Sequence, residues 1–141
     1  MKGFWQIAEL GQPVIATHSN AYSLCPVTRN LTDAQLRAIG ESKGMVGLNF
    51  ATIFLNAAAW EGGHAKIEDI VRHLEHMISL AGEDHVGLGS DFDGAPLPQG
   101  LTSAADLPRL EVALLDHGFG TELVENIMYN NWLRFLTRRL G

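Results

Sequence analysis

His85-Val86-Gly87-Leu88-Gly89-Ser90-Asp91-Phe92-Asp93-Gly94 runs through apolar and glycine residues straight into two acids and a turn-forming glycine. Its first six residues are near-continuous in apolar and small side chains rather than alternating, which is how a strand covered on both faces reads. Working outward, two earlier stretches share this character: Met45 to Phe50 (MVGLNF) and Pro13 to Thr17 (PVIAT). Helical patterns lie between and around them. Gly3 to Leu10 has apolar residues at Phe4, Ile7 and Ala8. Thr32 and Asp33 can cap a helix through about Lys43, with Leu36 and Ile39 inward and Gly44 as its stop. Ile67, Ile70, Val71, Leu74, Met77, Ile78 and Ala81 form a wide apolar stripe that ends near Gly82, and Ala104 to Asp116 and Thr121 to Arg139 read as two further helices.

Helix, strand, helix, strand, helix, strand, helix, helix is the grammar of a parallel α/β sheet with right-handed crossovers. The segments Ser19 to Leu31, Ala51 to Ala65 and Asp91 to Ser103 are long for connections, and each follows the C-terminal end of a strand. That edge is where α/β folds bind ligands. There the first strand runs into His18, the second ends at Asn49 and the third at Asp91, so neighbouring strands deliver three polar side chains to one rim. A histidine so placed can offer a neutral imidazole to a divalent metal, and an aspartate can ligate metal or shuttle a proton. Each also has a plainer reading, as a hydrogen-bonded loop histidine and as a turn former in Asp-Phe-Asp-Gly.

Composition narrows the partners. A chain of 141 residues with 46% hydrophobic content is long enough for one folded domain with a core. The net charge of −6 carries no basic stripe, which disfavours nucleic acid and anionic membrane surfaces and leaves a small molecule as the expected ligand. Cys25 is the single cysteine, so an internal disulfide and a thiolate zinc cluster are excluded. No run approaches the roughly 20 apolar residues of a membrane span, and the start lacks the apolar segment of a signal peptide. A cytoplasmic location is expected, although a missing N-terminus would hide an export signal.

Five stretches decide what the rim resembles. Val14-Ile15-Ala16-Thr17-His18-Ser19-Asn20-Ala21, Arg29-Asn30-Leu31-Thr32-Asp33, Gly47-Leu48-Asn49-Phe50, Asp84 to Gly94, and Asn131-Trp132-Leu133-Arg134-Phe135 resemble, in order and spacing, the C-terminal part of the membrane (renal) dipeptidases. The resemblance spans nearly the whole chain. It implies a metal-dependent hydrolase of the amidohydrolase type, acting on dipeptides, with two zinc ions bridged by a carboxylate and a hydroxide. The implied fold is the C-terminal portion of a (β/α)8 barrel, its last three strands with flanking helices, over a single partial-barrel domain, 1–141. By the same resemblance His18 ligates one zinc, Arg29 holds the substrate carboxylate and Asp91 is the acid/base residue. Asn49 and Phe54 join Arg29 as substrate-binding positions. An Arg fork suits a terminal carboxylate because it binds both oxygens at once.

Other residues invite a functional reading and receive a structural one. His73 and His76 share a helix face at i and i+3, but that helix belongs outside a barrel, away from the rim. Glu61 and His64 read as solvated loop residues, His117 as a helix-end residue meeting the C-terminal dipole, and Cys25 as a packed or loop thiol. Asp93 reads as structural or as orienting a metal-site group, since Gly94 argues for a turn.

The remaining ligands of such a site, a His-x-Asp pair, a bridging glutamate and another histidine, belong to strands that these 141 residues do not contain. A barrel takes about 250 residues. The first and third strands are therefore expected to present open edges and the sheet a bare apolar inner face. From this follows an expected homodimer through the open sheet, or pairing with a complementary N-terminal chain. A non-catalytic half-barrel, as a gene fragment or an interaction module, is the competing reading. Tyr129 and Asn130 stand where the family tends to carry two glycines, and Phe54 where it often carries tyrosine; both bear on substrate preference.

Overall fold

The structure, a computed structural model, describes residues 2–141, so Met1 lies outside the described residues. Its strands are β1 (Ile15–Ala16), β2 (Met45–Asn49) and β3 (Val86–Ser90). Its helices are α1 (Lys2–Ala8), α2 (Asp33–Glu41), α3 (Thr52–Leu55), α4 (Ile67–Ala81), α5 (Leu107–His117), α6 (Thr121–Glu125) and α7 (Asn131–Leu140). The strands form one parallel sheet in the order β1-β2-β3, with Ile15 opposite Met45 and Val46 opposite Val86. The expected α/β class and parallel sheet are observed.

The helix ends follow from local chemistry. Thr32 caps α2 in a reciprocal box: its hydroxyl accepts from the Gln35 amide, while Gln35 Oε1 accepts from the Thr32 amide at 2.9 Å. The left-handed residue that ends α2 is Lys43 (φ 56°), not Gly44. Gly44 is required for another reason, since a Cβ there would collide with the Val14 carbonyl where the chain passes β1. On α4, Asp69 caps the Lys66 amide at 2.9 Å and Gly82 (φ 94°) ends the helix.

One face of the sheet carries Val46, Leu48 and Val86 into a continuous core with Leu36 and Ile39 of α2 and Ile70, Leu74 and Met77 of α4. Each fully buried Leu or Ile contributes about 2 kcal/mol relative to exposure. The opposite face carries Met45, Gly47 and Asn49, by the alternation of a strand. The expectation that this second face lies bare is corrected at these positions. Met45 is fully buried, the Trp132 indole occupies the space a Cβ on Gly87 would take (2.6 Å), and the Thr17 carbonyl fills that of Gly47 and Gly89.

Three further expectations are corrected. Strand β1 is two residues long rather than spanning Pro13 to Thr17, because β2 is its one strand partner among the described residues and Thr17 turns across Gly47 and Gly89. The segment Ala51 to Ala65, read as a plain connection, contains α3 and a 3₁₀ turn at Ala57–Glu61. The last predicted helix is divided by one π turn, Asn126–Asn130, between α6 and α7. The open edges are present: Ile15 on β1 is 49% exposed. The edge of β3 is partly answered by side chains, Asn131 Nδ2 donating to the Val86 carbonyl (2.7 Å) and Trp132 Nε1 to that of Leu88 (3.0 Å). No helix of the described residues is long and apolar enough to cross a membrane.

Candidate active site

The register between β2 and β3 breaks at their C-terminal ends. Leu48 faces Leu88, but Asn49 faces Ser90, so Gly89 is an extra residue. Ser90 (φ 50°) and Asp91 (φ 75°) then adopt a left-handed backbone that costs a non-glycine residue of order 1 kcal/mol or more. The kink is closed by the Phe50 amide donating to the Ser90 carbonyl at 2.7 Å. Its effect is to place the Asp91 carboxylate against Asn49, whose Nδ2 donates to Asp91 Oδ2 at 2.9 Å.

Asn49 is itself fixed on every side. Its Oδ1 accepts from the Ala51 amide (2.7 Å), which leaves Nδ2 as the group turned to Asp91. Asn20 clamps its backbone, Oδ1 accepting from the Asn49 amide (2.8 Å) and Nδ2 donating to the Asn49 carbonyl (2.9 Å). Both asparagines are fully buried, where a polar group is tolerated only when its bonds are made.

A second cluster lies beside the first. The Arg29 guanidinium stands over the Phe54 ring, 5.9 Å from its centroid. The Phe54 carbonyl accepts from Asn30 Nδ2 (2.9 Å) and from Asn20 Nδ2 (3.2 Å). Asn20 therefore joins the two clusters, its amide nitrogen shared between the Asn49 and Phe54 carbonyls. Of the predicted site residues, the structure pairs Asn49 with Asp91 and Arg29 with Phe54. Asn49, a predicted substrate-binding position, has its amide bonded to Asp91 through Nδ2 and to Ala51 through Oδ1.

His18 lies two residues beyond β1, with Nδ1 2.7 Å from Thr17 Oγ1. With that nitrogen donating to the hydroxyl, Nε2 carries the lone pair. Among the described residues, no group of three or more His, Cys, Asp or Glu side chains could hold a metal ion. A closed or catalytic metal site needs at least three such protein ligands. A cavity of about 430 Å³ lies at the other ends of the strands, lined by Lys43, Asp84, His85, Phe135, Arg138 and Arg139, and shares no residue with this rim.

Asn20 and Asn30, read only as parts of motifs, and His73, read as structural, each take a specific bonding role that sequence reasoning did not give them. His73 lies on the apolar stripe of α4 and is 1% exposed. Its Nδ1 accepts from the Ala21 amide at 3.1 Å, so the ring proton is on Nε2, which donates to the Leu55 carbonyl at 3.0 Å. Burial, only partly offset by the Leu55 bond, pushes its pKa down to about 4. His76, a turn later, meets Ser23 Oγ (2.8 Å) and Asp33 Oδ1 (2.9 Å) and holds the Asp33 carboxyl below its usual range. The other plain readings stand: Cys25 is buried with its thiol pushed up by burial, His117 closes α5 beside Glu75 at 3.4 Å, and Asp93 is exposed ahead of Gly94 (φ 87°). The signal that could have found His73 is a lone imidazole in an otherwise aliphatic stripe, which needs partners for both nitrogens.

A family model described as membrane dipeptidase (peptidase family M19) matches residues 1–139. A crystal structure of a metallo peptidase from Rhodobacter sphaeroides, liganded with a phosphinate mimic of the dipeptide L-Ala-D-Ala, is 49% identical with a TM-score of 0.91, covering 97% of this chain and 39% of that one. Dipeptidase tcpJ of Claviceps purpurea is 39% identical over 125 residues, 88% of this chain and 29% of the relative. An uncharacterised protein from the pqqA 5' region of Klebsiella pneumoniae is 48% identical over 136 residues, 96% of this chain and 50% of the relative. An amidohydrolase structure from Pseudomonas aeruginosa, at 23% identity and a TM-score of 0.81, shares the fold. The chain thus spans half or less of the relatives it matches.

Proposed function

Because this chain belongs to the membrane dipeptidase family, we propose that it forms the substrate-anchoring and proton-transfer side of a metal-dependent dipeptidase. The observation that carries the reading is the Asn49–Asp91 bond of 2.9 Å at a kinked strand end, a cost in backbone conformation that buys the placement of one carboxylate. Asp91 acts as the acid/base group. The Asn49 amide occupies Oδ2, so the carboxylate has a fixed orientation and its other oxygen carries the proton to the leaving amine.

Arg29 holds the terminal carboxylate of a dipeptide through its two-pronged guanidinium, with Phe54 beneath it as a flat support. His18 contributes one ligand to a pair of zinc ions whose remaining ligands come from chain outside these 141 residues. When bound, zinc supplies an activated water and polarises the scissile carbonyl. The parallel sheet is read as the last three strands of a (β/α)8 barrel, a single partial-barrel domain. The exposed β1 edge, with Ile15 49% exposed, supports closure by a complementary N-terminal segment or by a second copy.

The test is zinc content and hydrolysis of a simple dipeptide, compared for the native sequence and Asp91→Asn. Loss of turnover with retained zinc is expected; unchanged turnover would remove the mechanism. The lack of a three-ligand group among the described residues favours the second reading, a non-catalytic half-barrel. Absence of both zinc uptake and hydrolysis by protein carrying this sequence decides for it.

A further inference from the structure

We propose that His73 is a positioning residue for the substrate carboxylate: from the flank of α4 it ties the Arg29-bearing loop to the Phe54-bearing turn. The inference rests on the dipeptidase reading above. The loop that carries Arg29 is closed at its base, where the Tyr22 amide donates to the Leu31 carbonyl and the Leu31 amide to that of Asn20, each at 2.8 Å. Ala21 sits within that base, and its amide donates to His73 Nδ1 at 3.1 Å. On the other side of the ring, Nε2 donates to the carbonyl of Leu55, the residue next to Phe54, at 3.0 Å. A single planar ring therefore sets the spacing between the two backbones from which Arg29 and Phe54 project.

The choice of residue supports this role. Ile70, Val71, Leu74 and Met77 fill the rest of the face of α4, and an aliphatic side chain would fill this position as well. An imidazole buried there is costly unless both nitrogens are bonded. Both are bonded, and to two different loops. His76 adds a second anchor one turn along, reaching Ser23 of the same loop and Asp33 at the start of α2. Ser23 and Asp33 share the one nitrogen Nε2, so the trio is not a nucleophile-activating triad, in which hydroxyl and carboxylate take opposite ring nitrogens. The His-Leu-Glu-His segment is thus a two-point clamp on the loop rather than a metal pair.

The clamp is tested by binding, with alanyl-alanine and its C-terminal amide as probes, titrated calorimetrically against the assembled protein that contains this sequence with the rest of the site, and against its His73→Gln and His73→Leu variants. Wild type prefers the free acid by about tenfold, the scale of one charge-assisted bond. In His73→Leu that preference falls to within about twofold while affinity for the amide is nearly unchanged, and the Ala21 amide exchanges hydrogen faster. His73→Gln keeps the volume and a donor for Leu55 and falls between the two; it carries the test where His73→Leu does not fold. A folded variant with the full preference for the acid overturns the proposal. Wild type that binds neither probe overturns the dipeptidase reading itself, before any variant is compared.

Discussion

Exchanging His73 for glutamine removes a titrating group whose pKa is pushed from 6.5 in the unfolded chain to about 4 in the folded one. A shift of that size corresponds to about 3 kcal/mol of pH-dependent stability. The folded state needs the neutral ring, because Nδ1 must accept from Ala21. Above 6.5 neither state holds the extra proton and the contribution is fully present. As the pH falls from 6.5 toward 4 the unfolded chain binds a proton that the folded one refuses, and the contribution is lost. His73→Gln has no such group. Urea denaturation at constant ionic strength, from pH 7 down to pH 4.5, should show the stability gap between wild type and variant shrinking by about 2 to 3 kcal/mol. The Asp33 carboxyl, held low mainly by its bond to His76, supports stability above its ordinary 3.8 and loses it as the pH falls below that value. Both proteins carry it, so it cancels. Parallel pH curves for the two proteins would refute the assignment of a neutral, doubly bonded ring.

Asn49→Ala removes the hydrogen bond that Asn49 donates to Asp91 and leaves the Ala51 amide unanswered; steady-state kinetics should show kcat down about tenfold or more with KM little changed. Arg29→Lys keeps the charge but loses the fork, so KM for dipeptides should rise about tenfold while kcat stays near wild type. Gly89→Ala drives a Cβ into the Thr17 carbonyl and to 2.8 Å from that of Gly47. Thermal unfolding should record a loss of about 3 kcal/mol or more, or no folded protein at all.

The parallel sheet was legible because buried strands write themselves as unbroken apolar and glycine runs, and β2 and β3 do so at Met45 and Val86. The helix caps were legible where a side chain does the capping, as at Thr32, and illegible where the reason is a neighbour in space. Gly44 illustrates the second case: it reads as a helix stop and is a glycine because Val14 passes over it. At the rim, the positions of Asn49 and Asp91 followed from strand ends, whereas His18 lies two residues beyond the short β1. The pairing of Asn49 with Asp91 did not, because it depends on a one-residue slip at Gly89 and on two left-handed residues that no local propensity announces. Asn20, Asn30 and His73 were hidden for a related reason, since each acts on main-chain atoms far along the sequence, and such targets leave no residue-type signature.

That last property has a consequence for how the site can change over generations. Asn20, Asn30 and His73 grip the carbonyls of Phe54 and Leu55, not their side chains. The ring at position 54 can therefore be exchanged for another without disturbing the frame that aims Asp91. On the proposed reading, recognition is free to drift while the proton-transfer geometry is inherited unchanged, the separation a lineage needs to explore new substrates without first losing the old reaction.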